Sequence, residues 1–290
     1  MIKSWIEAMR LRTLPVSVAG VIAGCGCAIM HNSFKLLPAL LCLAFAILAQ
    51  ITSNFANEYF DFKNGIDKKG RVGFRRGVTE GEISPQAMKW ATFVTFAIAA
   101  LVGGSMLFIS SWWMLLVGVV ILLFALAYSA GPYPHSHHGL GDIAVVIFFG
   151  VVPVTLTCYL QTGSWEGFDF VVATSVAVGL LAANVLVVNN YRDMEDDAAV
   201  NKRTTVVIFG RRVMGMAYLL SGVVAMLIMY PVWVRMPIWH LAIPAAYLIM
   251  HVMTWIKIKK AKGAELNPLL GKTALNLLLF ALMFLILTIS

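Results

Sequence analysis

The sequence predicts an all-α protein, a polytopic membrane bundle of nine transmembrane helices with a cytoplasmic N-terminus and the C-terminus outside. Three observations predict it. Of 290 residues 60% are hydrophobic and 12% charged, whereas soluble domains carry roughly 25% charged residues. The apolar residues come in blocks of about twenty between short polar segments, the length a helix needs to cross the hydrocarbon core. Of the 22 Lys and Arg, only Lys35 and Arg235 fall on the opposite side of the bilayer from the rest, and short loops rich in these residues stay in the cytoplasm. This bias accounts for the net charge of +8 without nucleic acid, which would need a basic solvated face. The block pattern also excludes disorder and a disulfide framework.

Residues 1–13 hold Trp5, Ile6, Met9 and Arg10 at helical spacing with too much charge to span, so they are expected along the interface. Spans follow at 14–30, 36–57, 87–109, 112–130, 142–161, 168–189, 213–234, 236–256 and 272–289. The first is short, and Gly20, Gly24 and Gly26 give it a small-residue face for close helix packing. Along the second, Gln50, Asn54, Asn57, Glu58 and Asp61 succeed each other at steps of three and four where not adjacent, a polar stripe running into the membrane on one helix face. The third to fifth are apolar, with Trp112 and Trp113 at a span end as interface anchors, as are Trp165 and Trp239. The sixth ends in a second stripe, Asn189, Asp193 and Asp197. His240 and His251 in the eighth read as packing or interfacial residues, and Cys25, Cys27, Cys42 and Cys158 sit in apolar stretches without a zinc-ligand pattern. The chain reads as one domain over 1–290, with helices 1–4 and 5–8 as a pseudo-repeat and a ninth helix added.

Carboxylates at membrane depth are costly and therefore informative. Nine of the fourteen fall in two segments, Glu58, Asp61, Asp67, Glu80 and Glu82 after the second span and Asp193, Glu195, Asp196 and Asp197 after the sixth. Each segment contains an Asn followed four residues later by Asp, Asn57 to Asp61 and Asn189 to Asp193. Two stripes ending at one surface would face each other across a shared cavity. Acids and amides without His or Cys form an oxygen-donor set suited to Mg²⁺. Lys63, Lys68, Lys69, Arg71, Arg75 and Arg76 flank the first cluster, and Arg192, Lys202 and Arg203 the second. Metal-holding carboxylates beside phosphate-reaching cations make a diphosphate site whose ligand is otherwise lipid. Glu80, Glu82, Lys68 and Lys69 read as solvated loop, and so do His135, His137 and His138.

At these clusters the sequence resembles the UbiA superfamily of intramembrane aromatic prenyltransferases, whose pattern is Asn-Asp-x-x-Asp-x-x-x-Asp after helix two and Asp-x-x-x-Asp after helix six. Glu58 stands where Asp is usual, and Gly65 where the last Asp is usual, with Asp67 two residues on. The run from Asn57 to Asp67 with Arg71-Val72-Gly73, and the run from Asn190 to Thr204, are similar to the menaquinone-pathway branch, MenA. Arg10-Leu11-Arg12-Thr13-Leu14-Pro15 resembles the entry to helix one, and Tyr128-x-x-Gly131-Pro132 with Gly139-Leu140-Gly141-Asp142 resembles that branch's loop after helix four. The loop lacks the Lys-Arg pair of many other branches. The resemblance implies transfer of a polyprenyl group from polyprenyl diphosphate to 1,4-dihydroxy-2-naphthoate with loss of CO₂, in a bacterial inner membrane, at its cytoplasmic side.

On that reading Asn57, Asp61, Asp67, Asn189, Asp193 and Asp197 hold Mg²⁺, and Lys63, Arg71, Arg192 and Lys202 grip the phosphates, with Asn54 on the same stripe. Tyr128 and Asp142 orient the acceptor or handle its proton, and Arg12 meets its carboxylate. Asp61 and Asp193 are the catalytic centre of the two clusters. A 4-hydroxybenzoate-type acceptor is the alternative within the superfamily. A cation transporter, of a different class, would place its acids near the midplane on interrupted helices, and a phosphatidyl-alcohol transferase would need an Asp-Gly-x-x-Ala-Arg signature that is absent.

Overall fold

A computed structural model describes residues 2–67, 69–70, 72–127, 137–165 and 167–289. Among them all regular structure is helical. α1 (Ile2–Ala8) precedes α2 (Leu14–Met30), α3 (Leu36–Lys63), α4 (Pro85–Ser105), α5 (Trp113–Ala127), α6 (Gly141–Val145) and α7 (Val152–Thr162). α8 (Phe168–Ala199), α9 (Thr205–Ile228), the single turn α10 (Tyr230–Trp233), α11 (Ala242–Lys260) and α12 (Leu266–Ile289) complete the chain. Seven helical stretches are long and apolar enough to cross a membrane, and α2 and α5 are shorter apolar helices of 17 and 15 residues. The nine predicted segments are thus helical over most of their described residues.

Local chemistry sets the boundaries. Ser84 caps α4 by accepting the Ala87 amide at 3.1 Å ahead of Pro85, and Thr204 caps α9 by accepting Val207 N–H at 3.4 Å. Several boundaries differ from the hydropathy reading; α12, for one, begins at Leu266, six residues before its predicted start. α3 continues to Lys63 and α8 to Ala199, past the predicted span ends at 57 and 189, so the stripes stay helical through Asp61, Asp193 and Asp197. Backbone hydrogen bonding persists past the point where the side chains turn polar, and hydropathy marks only the latter. α9 begins eight residues before its predicted span and breaks at Gly210, whose φ of 78° and ψ of 161° lie outside the helical region.

α8 is the central helix, with 78% of its spanning window buried. α2, α7, α9 and α12 pack around it, α3 joins α2, and α4 and α5 lie outside α3 with Phe93, Leu101, Leu116 and Leu123 facing outward. Between α6 and α7 the chain widens into a π segment over Val146–Val151. Pro153 supplies the cause: it has no N–H for the Phe149 carbonyl one turn back and crowds that carbonyl aside. α2 meets the displaced group at Gly20, where a Cβ would stand 2.8 Å from the Phe149 oxygen. Of the expected small-residue face of α2, Gly20 thus packs on this distorted stretch and Gly24 on α7, whereas Gly26 faces Phe284 of α12.

α1 lies against the start of the bundle. Ser4 Oγ donates to Glu82 at 2.7 Å, and Arg75 pairs with Glu82 and lies 3.7 Å from Glu7. Glu82, read as simple solvated loop, instead ties the N-terminal helix to the segment after α3. The Ser4 hydroxyl first, and the Arg75 guanidinium second, hold its carboxyl below the usual carboxylate range. His251 is buried as expected, with Nε2 2.9 Å from the Tyr218 carbonyl, and His240 is buried at the start of the α11 stretch.

Candidate active site

The polar stripe of α3 is buried from Gln50 to Asp61, and its upper members fasten the N-terminal segment. Gln50 Nε2 donates to the Thr13 carbonyl at 3.0 Å and Asn54 Nδ2 to the Met9 carbonyl at 3.0 Å. A turn lower, Asn57 Oδ1 accepts from Arg10 and, at 3.0 Å, from Arg76. Arg76 lies 3.1 Å from Asp67 and 3.7 Å from Asp61. His137 approaches Asp61 Oδ1 to 3.8 Å. Glu58 faces elsewhere: it accepts the Val78 amide at 3.0 Å and anchors the loop.

The second stripe runs along α8. Arg192 Nε and Nη2 donate to the two oxygens of Asp193 at 2.6 and 2.7 Å, with Nη2 also on Asn189 Oδ1 at 2.8 Å and Nη1 on Asn267 Oδ1 at 2.9 Å. The Phe74 ring lies 5.3 Å from this guanidinium. Lys202 Nζ stands 3.2 Å from Asp197.

The segment 64–84 joins the stripes. Arg76 reaches the first and Phe74 the second, while Asn267 on α12 donates to the Val72 carbonyl at 3.2 Å. Gly73 passes so close to α8 that a Cβ there would stand 2.8 Å from Arg192 Nη2 and 3.1 Å from Asp193 Oδ1.

Beside this segment lies an open chamber, lined in part by Arg10, Asn54, Asn57, Arg76, Asn189 and Asp193. Asp142 also lines it; its Oδ2 accepts the Thr205 hydroxyl, and its buried Oδ1 receives no hydrogen bond among the described residues. An apolar cavity adjoins it, lined by side chains such as Phe45, Met106, Ile121, Phe148 and Leu156. Gln50, Ser53, Val145 and Phe149 border both spaces. A charged head and a long apolar tail on one molecule fit such a pair of spaces.

Of the expected site residues, Asn54, Asn57, Asp142, Asn189, Arg192, Asp193 and Lys202 line the chamber. Asp61, Asp67 and Asp197 are buried beside Arg76 and Lys202. Arg12 and Lys63 are exposed at the surface and contribute nothing to the chamber walls. Arg10, two residues from Arg12, is the cation that enters. The intervening chain turns at Arg10 through a left-handed φ of 53°, which the helical spacing of 1–13 does not reveal. His137, read as solvated loop, has a side chain only 15% exposed. Tyr128, Arg71 and His135 lie outside the described residues. Phe74 and Arg76 come from the segment after α3 and Asn267 from α12, with no spacing relative to the two stripes that would expose their convergence.

The donors fit a hard cation. They are carboxylate and amide oxygens, and Asp61 Oδ1 is buried without a hydrogen-bond donor among the described residues. No three acids, His or Cys among the described residues converge at metal distance, and Arg76, Arg192 and Lys202 sit among the acids.

A profile described as the UbiA prenyltransferase family matches residues 17–280. A 1,4-dihydroxy-2-naphthoate octaprenyltransferase from Haemophilus influenzae is 36% identical over 218 residues, 72% of this chain and 70% of that protein. One of the same description from Escherichia coli is 33% identical over 97% of this chain and 94% of its own length. A UbiA homologue from Archaeoglobus fulgidus, solved with DMAPP and Mg²⁺, superposes with a TM-score of 0.72 over 99% of both chains at 17% identity, a likeness of fold.

Proposed function

The chain belongs to the UbiA prenyltransferase family, and from that premise we propose that it transfers a polyprenyl group from polyprenyl diphosphate to 1,4-dihydroxy-2-naphthoate with release of CO₂, giving demethylmenaquinone in menaquinone biosynthesis. One observation carries the geometry: the polar chamber between the two Asn-x-x-x-Asp stripes opens past Phe149 into an apolar cavity. The acceptor rests on the relatives' activity and on the Gly139-Leu140-Gly141-Asp142 loop.

On this reading Asn57, Asp61, Asp67, Asn189, Asp193 and Asp197 would hold Mg²⁺, which when bound offsets the charge of the departing diphosphate. Arg76, Arg192 and Lys202 bind the diphosphate oxygens as it leaves with the C1–O bonding pair. The apolar walls around Phe148 and Phe149 exclude water, which would otherwise capture the allylic cation. Asp142 Oδ1 accepts the hydrogen bond of a ring hydroxyl and orients the ring carbon that forms the new C–C bond. Arg10 takes the acceptor's carboxylate, the role expected of Arg12. The helices cross a bacterial inner membrane nine times, α2 and α5 included, with the chamber on the cytoplasmic face and the two halves as a pseudo-repeat; the Lys and Arg distribution supports this orientation.

A direct competition tests the proposal. Purified protein supplied with a polyprenyl diphosphate and Mg²⁺ should prenylate 1,4-dihydroxy-2-naphthoate and release CO₂ while reacting poorly with 4-hydroxybenzoate. Preference for 4-hydroxybenzoate would move the protein to the other branch, and reaction with neither would remove the acceptor assignment.

A further inference from the structure

Arg76 lies where the first acid cluster meets the chamber. Its side chain is 7% exposed, yet it lines the chamber wall. Three groups assigned above to the metal surround it: Asp67 Oδ2 at 3.1 Å from Nε, Asn57 Oδ1 at 3.0 Å and Asp61 Oδ2 at 3.7 Å from Nη2. Its Nη1 is buried and makes no hydrogen bond among the described residues. A guanidinium that lines the chamber, holds the acids and keeps one buried donor without a hydrogen bond among the described residues has the planar, multi-donor chemistry to exchange its partners for an oxyanion.

We propose that Arg76 is an exchangeable internal counter-ion that occupies the first metal cluster and passes to the diphosphate when metal and diphosphate enter together. This rests on the prenyltransferase reading. A divalent cation entering alone competes with the guanidinium for Asn57, Asp61 and Asp67, and displacing Arg76 leaves a buried charge without compensation, which is costly. A diphosphate removes that cost, because its oxygens give the displaced guanidinium charge-assisted, bidentate partners. Metal and diphosphate therefore bind with positive coupling, and linkage requires each to raise the other's affinity by the same factor. The same exchange guards the site against cations arriving without substrate.

The test is a metal-binding measurement. Detergent-purified protein is titrated with Mn²⁺ by electron paramagnetic resonance, alone and with a geranyl thiolodiphosphate that resists ionisation of its C1–S bond. In the unmodified protein the analogue should raise Mn²⁺ affinity about tenfold or more, within the usual range of coupling between sites. Arg76→Gln should bind Mn²⁺ alone about tenfold more tightly, with the coupling reduced towards one. Arg76→Lys, which keeps the charge but loses the planar fork, should shift both in the same direction by less, and it serves if the Gln variant does not fold. Mn²⁺ affinity in the folded variant equal to or weaker than that of the unmodified protein overturns the exchange. If the unmodified protein binds neither Mn²⁺ nor the analogue, the prenyltransferase reading itself fails.

Discussion

Gly73→Ala places a methyl group where the segment 64–84 meets α8, at 2.8 Å from Arg192 Nη2 and 3.1 Å from Asp193 Oδ1. A long Arg side chain ordinarily yields to such a contact at little cost. Here the guanidinium is held by Asp193, Asn189 and Asn267 together, so the methyl must either break these bonds or push the segment off α8. Overpacking of this kind costs about 1–3 kcal/mol, and at 1.4 kcal/mol per tenfold the loss in affinity for polyprenyl diphosphate is roughly 5- to 150-fold. The assay is the KM for the diphosphate beside thermal unfolding in detergent. Gly81→Ala is the control, because Gly81 has a φ of 79° and nothing within 4 Å of its Cβ position. It should lose about 1–2 kcal/mol of stability from left-handed strain and keep its substrate affinity. Gly73→Ala with unchanged KM and unchanged unfolding would show that the close approach does not govern the cluster.

Asp193→Ala should abolish most turnover and also lower stability by about 3–5 kcal/mol, since it leaves the buried Arg192 without its carboxylate; Asp61→Ala should lose turnover as well, and Glu80→Ala should be mild in both assays. Chelation should stop transfer and Mg²⁺ restore it, measured as prenylated product. A reporter fused after Ser290 should lie outside the cytoplasm and one inserted at 198–210 inside; a cytoplasmic C-terminus would overturn the nine-span orientation. Glu82 has its carboxyl lowered in the folded chain, so its contribution to docking α1 is present above the unfolded value near 4.3 and is lost as pH falls through the lower folded value. Proteolysis of the N-terminal segment should therefore accelerate in that acid range in the natural chain, whereas Glu82→Gln should already be faster at neutral pH and flatter with pH.

Periodicity carries much of this architecture on its face. Twenty-residue apolar blocks name the helices, and steps of three and four bring Asn57 with Asp61 and Asn189 with Asp193 onto shared faces before any coordinates are known. The helix ends are less readable, because α3 and α8 continue through charged residues with their backbone hydrogen bonds intact. The loops are least so. Arg10 and Arg12 are equivalent to a charge count, and only the left-handed turn at Arg10 decides which of them enters the chamber. Arg76 and His137 reach Asp61 from separate loops, a convergence that no local spacing encodes. Pro153 is visible in the sequence, but the seating of Gly20 of α2 against it and the Phe149 carbonyl is a long-range contact that no local spacing shows.

The bond between Asn267 and Arg192 bears on how the protein is made. Arg192 belongs to α8, Asn267 to α12, and Val72, which Asn267 also holds, to the segment after α3. A ribosome-bound chain that has inserted everything up to α11 already contains both acid stripes and the segment over them. It still lacks the residue that fastens that segment to the α8 arginine. Completion of the chamber wall is thereby tied to the end of synthesis, and truncated or stalled products would lack the Asn267 contacts to Arg192 and Val72.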